Sequence, residues 1–541
     1  MKSLTLSLLV LAACLPAAAA PPAAPPPVGE RLGTVAFHVS CAAAVRAPFD
    51  RGVALLHDFW YEESQRQFEQ VLATDPHCAM AHWGIAMSVY HQIWGRPDAS
   101  AQALAWRHLR QALAHRAGSA RDRGYISALA LVFRPGPQDY PARVSAYAAA
   151  MGRLHARYPD DVDVTAFHAL SLLAAEPVGD LSLQAERSAL AELAPLSVMY
   201  PDHPGVAHYI IHAADSPQLA AQGLAAAQRY GAIAASAPHA AHMPGHIFAR
   251  LGLWQADIDA NAAAVEASRI AEERHQAGAM YVYHSDEFLL YAYLQAAQDA
   301  AARRIVADGA ALIAHDTAMP GMVDSSMADV LPYYRAEYPA FLALELRDWP
   351  AAAALEPVAA DPAESQLLTL WARTIADGHL RHAAAAAADL AAYEAQRAAL
   401  AKGRYAYALQ GNGAAIQYGE VQAWAAFAAG HDADALQAMR GSADLQDRVG
   451  QGEVDIPARE MLADMLLDLG RPDEALAEYQ RALQLSPQRF NGLYNAGRAA
   501  EALHDRAQAT TYYAALMRST GNGALSTRAE FDQVRAFLAA P

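Results

Sequence analysis

The chain has 541 residues, 54% of them hydrophobic and 18% charged, with 40 basic against 57 acidic side chains and a formal net charge of −17. That length exceeds one compact core, so the chain is either several domains or an elongated array. The acidic balance, with lysine only at Lys2 and Lys402 and no basic stripe along any predicted helix, argues against nucleic acid. Past the amino terminus the Ala-rich stretches are broken by Asp, Glu, Arg or Gln, so the mature chain has no transmembrane segment.

Residues 1–20 have the order of an export signal: Lys2, then the apolar run Leu4 to Ala13, then the small residues Ala17 to Ala20. The expected location is the periplasm or cell envelope. Within that stretch Leu11-Ala12-Ala13-Cys14 also has the form of a lipobox, which would make Cys14 a lipidation site and the protein lipid-anchored. Soluble release is favoured over anchoring because the signal would be short. Residues 21–35 form a Pro/Ala-rich linker that cannot be regular helix.

With Cys14 removed or lipidated, Cys41 and Cys78 remain as an even pair in an oxidising compartment, where a disulfide is expected. In the chain-entropy treatment a loop of that length contributes about 4 kcal/mol.

From residue 36 onward the pattern is all-α. Gly52, Leu55, Phe68 and Pro76 mark a helical hairpin, and Ala79 to Tyr90 starts the next. Irregular hairpins then continue to about residue 400. Their turns are signalled at Leu251-Gly252-Leu253-Trp254, Leu346-Arg347-Asp348-Trp349 and Asp377-Gly378-His379, with a like signal past that bound at Ala429-Gly430-His431-Asp432, and polar insertions at Arg134 to Pro141 and Met319 to Pro332. No segment has strand periodicity.

The centre of this region is rich in histidine. His208 and His212 stand four apart, which places both on one helix face, and His242 and His246 do the same. Pro204 to Pro238, His208 to His242 and His212 to His246 are each separated by 34 residues. Side chains one repeat apart lie side by side in a stack of hairpins whose axes are about 8–10 Å apart, so four imidazoles could meet on one ion. His239 and His284 are further candidate ligands, and Asp215, Asp286 and Glu287 could ligate or orient a ring. Imidazole suits a divalent transition metal: zinc, copper or iron. Should a helix begin at Pro244, only His246 of the second pair would lie on it. Downstream, Tyr281, Tyr283, Asp286 and Glu287 mix rings and acids on one helix, as a wall for binding a peptide would.

Residues 401–541 show the repeat most plainly. Ala463, Leu466, Gly470, Ala475, Tyr479, Ala482 and Pro487 occupy the small, aromatic and terminating positions of a tetratricopeptide hairpin. After 34 residues Ala475 recurs as Ala509, Tyr479 as Tyr513 and Ala463 as Gly497. The fold expected is an α-solenoid of TPR-like hairpins. Phosphate-binding Gly-rich loops, a nucleophile elbow and a His-Glu-x-x-His zinc helix are missing.

The segments Phe49 to His57, Asp75 to Ser88 and His239 to Phe248 resemble bacterial envelope tetratricopeptide proteins of unassigned function, and more distantly tetratricopeptide repeat protein 38. The resemblance spans residues 40–300, and it implies a solenoid that binds a protein or peptide partner in its groove. The alternative is a metal-binding protein or metal-dependent enzyme that uses the histidine cluster.

Overall fold

A computed structural model describes residues 29–115, 118–177, 179–318, 327–402, 409 and 411–540. The expected signal, Cys14 and residues 21–28 of the linker lie outside these, as do residues 319–326 of the second polar insertion. Among the described residues there are 26 α-helices and no strand. None of these helices is long and apolar enough to cross a membrane.

The local reason for the hairpins is a small residue opposite an aromatic one. At the carboxyl end Ala463 and Tyr479 are fully buried on the helices Ala458–Asp468 and Pro472–Leu485. One repeat later Gly497 takes the place of Ala463, and a Cβ there would stand 2.3 Å from Cε1 of Tyr513. The amino end repeats the device: a Cβ on Gly84 would meet Cδ2 of Phe68 at 2.4 Å, and Gly52 faces the same ring. Close helix approach therefore depends on these positions staying small.

Between the two helices of a hairpin the chain reverses through one left-handed residue. Gly252, Gly430 and Gly470 have φ of 66°, 79° and 70°, and Arg347 takes the same role at 55°. Asp377-Gly378-His379 is not a turn. The helix Ala363–Leu380 runs through it and the reversal falls at Arg381, with φ 57°. Gly378 is small because Cε3 of Trp424 would lie 2.4 Å from a Cβ there. The second polar insertion is likewise shorter than expected at its end, because the helix Met327–Glu345 carries Pro332 and Pro339 within it.

First helices of hairpins pack on first helices of their neighbours, and second helices pack on first helices, so the first helices form an inner layer. The stack also winds until separate turns of the superhelix touch. Helix Arg46–His57 packs on Pro204–Ala214, and Ala279–Gln295 on Phe490–Ala502. Indole N–H groups tie these turns together: Trp60 donates to the Ala277 carbonyl at 2.5 Å and Trp254 to that of Gln488 at 2.8 Å. The apolar core falls into two large clusters, one running from Leu32 to Ala271 and the other from Ala249 to Val534, with a small third of Ala386, Ala425 and Ala428.

Arg489 anchors the second cluster. It is 1% exposed, donates to both oxygens of Glu460 at 2.9 and 3.0 Å and pairs with Glu345 at 2.9 Å. Cys41 and Cys78 are joined by a disulfide, with Cα atoms 5.0 Å apart.

Candidate metal centre

Four helices of the inner layer carry the central histidines: Pro204–Ala214, Pro238–His242, Pro244–Arg250 and Ala279–Gln295. Pro238 and Pro244 each stand at a first helical position, where the missing N–H costs nothing. The helix is interrupted at Met243, yet Met243 keeps helical angles, φ −51° and ψ −35°. His242 and His246 therefore stay on one face in spite of the proline, and their Nε2 atoms are 2.8 Å apart.

The four imidazoles one repeat apart do not meet at a single point. They divide into two groups, each recruiting a third ring: His208, His212 and His239 in one, and His242, His246 and His284 in the other. Within each group the facing nitrogens all lie within 4.8 Å of one another. The groups adjoin through His239 and His242, whose ring centroids are 6.1 Å apart. Each has a phenylalanine beneath it. Phe59 lies 4.4, 5.3 and 5.5 Å from His208, His212 and His239, and Phe288 lies 4.8, 4.9 and 5.2 Å from His242, His246 and His284.

The outer nitrogens are held. Nδ1 of His208 bonds the His57 carbonyl at 2.5 Å, so it must be the protonated nitrogen, and Nε2 keeps its lone pair. Nδ1 of His242 bonds Oδ1 of Asn261 at 2.6 Å, and Asn261 is itself oriented by its amide donating to Asp257 at 2.7 Å. Nδ1 of His246 reaches Asp215 at 2.9 Å and Glu453 at 3.2 Å, and Nδ1 of His284 reaches Glu287 at 2.8 Å. Held this way at Nδ1, a ring presents Nε2, which is how protein scaffolds orient imidazole ligands toward a metal. Nε2 of His212 is buried and has no hydrogen-bond partner.

The electrostatics agree with this arrangement. Burial pushes His208 down to about 3, and burial together with the neighbouring rings holds His212, His239 and His242 well below the usual imidazole range. These rings are neutral and able to ligate. His246 is the exception. Burial disfavours its charge, but Asp215 and Glu453 outweigh burial and raise it to about 10. Its proton on Nε2 therefore lies against the lone pair of His242, so a positive charge already occupies the place between two facing nitrogens. A metal would displace that proton.

Of the residues expected to orient a ring, Asp215 and Glu287 do so. Asp286 is buried elsewhere, with its carboxyl raised to about 7 by burial and by Asp308. Tyr283 is fully buried and donates to Asp316 at 2.5 Å, while Tyr281 donates to the Phe59 carbonyl at 3.0 Å. Asn261 and Glu453 carry no signal in the sequence. Glu453 is 207 residues from the ring it holds, on the segment before Ala458–Asp468, and Arg250 binds it and Asp215 together. A further buried group, Asp163 between His57 and His203 at 3.1 and 3.2 Å, has both imidazoles satisfied by the carboxylate and knits the first core.

Residues 463–503 match the family model of the TPR repeat. The chain is also similar to solved structures. One is the TPR domain of P58(IPK), at 12% identity with a TM-score of 0.21, covering 92% of this chain and 98% of that one. Another is yeast Tom70, at 10% identity with a TM-score of 0.29, covering 85% and 90%. Values this low bear on neither site nor function. No curated protein matches the chain.

Proposed function

We propose that this chain, a TPR-repeat protein, is an exported binding protein that holds transition-metal ions in the two imidazole groups of its inner layer, one ion in each. The observation that carries the reading is the tautomer pattern. Nδ1 of His208, His242, His246 and His284 is taken up by a carbonyl, an amide or a carboxylate, which leaves Nε2 directed at its neighbours. Nε2 of His212 is buried without a hydrogen-bond partner, which a ligand for that nitrogen would satisfy. An all-imidazole set with no thiolate suits zinc, copper or iron, and both cysteines of the described chain are in the disulfide.

The disulfide supports export to an oxidising compartment. The TPR fold supports a protein or peptide partner on the same inner layer, as such solenoids present extended concave surfaces. Metal analysis of the purified chain after equilibration with zinc, copper or ferrous iron tests the proposal. Two equivalents are expected, falling to one in a His242→Ala/His246→Ala variant whose helical circular dichroism is unchanged. Failure of the wild-type chain to retain any of the three ions through gel filtration would refute it.

A further inference from the structure

A cavity of about 540 Å³ opens beside the second imidazole group, between the helices Ala279–Gln295, Met327–Glu345, Ala363–Leu380 and Asn412–Ala428. Five carboxyl groups line it: Glu287, Glu337, Glu364, Glu420 and Asp455. Among the described residues no lysine, arginine or histidine does. A wall of acids with nothing to balance it is costly unless the acids are solvated or paired. Glu337 and Glu420 are only 3% and 4% exposed.

No cationic side chain donates to the carboxyl group of Glu337, Glu420 or Asp455 among the described residues. Glu420 accepts from the Trp371 indole at 2.7 Å, Asp455 from the Gln446 amide at 2.8 Å, and Oε1 of Glu337 from the Tyr333 hydroxyl at 2.9 Å. All three donors are neutral. Oε2 of Glu337 is buried and meets no donor group, and Glu287 stands close enough to share a proton with the Glu337 carboxyl. Burial raises Glu420 to about 8, and burial together with Glu287 holds Glu337 well above the ordinary carboxyl range. Between the acids, Phe341, Trp371 and Tyr333 supply apolar and aromatic wall, which suits an alkyl stem and the face of a cation.

We infer that this cavity binds an organic cation, an ammonium or guanidinium group on an aliphatic stem, with Glu337 and Glu420 as its principal carboxylate partners. A cation with several N–H donors favours the ionised form of both acids, so its binding releases the protons that burial holds on them, pairs with the carboxylates and donates to the bare oxygen of Glu337. A volume of this size lies in the usual range of small-ligand sites. The same chemistry is carried by a free amine and by a lysine or arginine side chain of a peptide. Glu287 touches both this cavity and His284, so an occupant would sit next to the imidazoles. The inference does not depend on metal being bound there.

The test is calorimetric titration of the full chain, metal-free, with n-butylguanidinium, spermidine and an arginine-containing hexapeptide, with valeramide as the neutral control. At least one cation should bind, weakening as salt is raised, and valeramide should not. Binding of the small cations assigns the site to free amines, and binding of the peptide alone assigns it to a peptide side chain. Glu337→Gln and Glu420→Gln keep side-chain shape but cannot ionise to meet a cation, so both should fold, and each should weaken binding tenfold or more. The His242→Ala/His246→Ala chain should bind the cation as the wild type does, which separates this inference from the metal reading. Absence of binding by all three cations, equal binding of valeramide, or unchanged affinity in both Gln variants overturns it.

Discussion

The rings of the second imidazole group are held from behind by partners of different character, and that difference sets an order of metal affinities. His242 is 1% exposed, and its Nδ1 has a single partner, Asn261. In Asn261→Ala bulk solvent does not reach this nitrogen, so the ring loses the fixed side-chain acceptor that orients it. The side chain of His284 is 41% exposed, so in Glu287→Ala water can accept from Nδ1 in place of the carboxylate. Loss of such supporting partners weakens metal binding about 10- to 100-fold. The buried case belongs at the upper end, near 100-fold or about 2.7 kcal/mol, and the exposed case near tenfold or about 1.4 kcal/mol. Competition against a chromophoric chelator measures both constants, with circular dichroism to confirm that the helices persist. Equal affinities for wild type and Asn261→Ala, or a larger loss in Glu287→Ala than in Asn261→Ala, would refute the argument that held Nδ1 atoms aim these rings at a metal.

Further outcomes concern the body of the fold. Glu420 is raised by burial to about 8 in the folded chain, above its ordinary value of 4.5. The stability it contributes is therefore complete below pH 4.5 and is lost as pH rises through 8, a decline on the order of 5 kcal/mol. Urea titrations at pH 6 and pH 8.5 should show Glu420→Gln overtaking the wild type at the higher pH. Arg489→Met leaves Glu345 and Glu460 buried and unpaired, and should lower the unfolding free energy by about 3–5 kcal/mol; adding Glu345→Gln and Glu460→Gln should restore most of it. Gly84→Ala drives a methyl into Phe68 and should cost about 1–3 kcal/mol, recovered in thermal melts by Phe68→Leu.

The repeat architecture was legible because it rests on local rules. A small residue facing an aromatic and a 34-residue spacing are both visible along the chain, and they led to the hairpins and to the four histidines. Gly378 shows the limit of such reading. Glycine marks a left-handed turn and a close helix approach alike, and only the position of Trp424 tells the two apart. The division into two imidazole groups was hidden for a related reason. His239 and His284 are chosen as third members by rotation of neighbouring helices, which spacing within one helix does not record. Asn261 and Glu453 belong to distant segments, and their roles exist only once the superhelix has wound.

That winding changes what kind of material the chain is. An open row of hairpins behaves like a string of beads, each able to melt or be removed with little effect beyond its neighbours. Here the Trp60 and Trp254 indoles are lashed to carbonyls 217 and 234 residues further on, as rope is made fast across successive loops of a coil. A cut in one loop then slackens the next, and fragments trimmed at repeat boundaries should lose their structure together rather than fray from the ends.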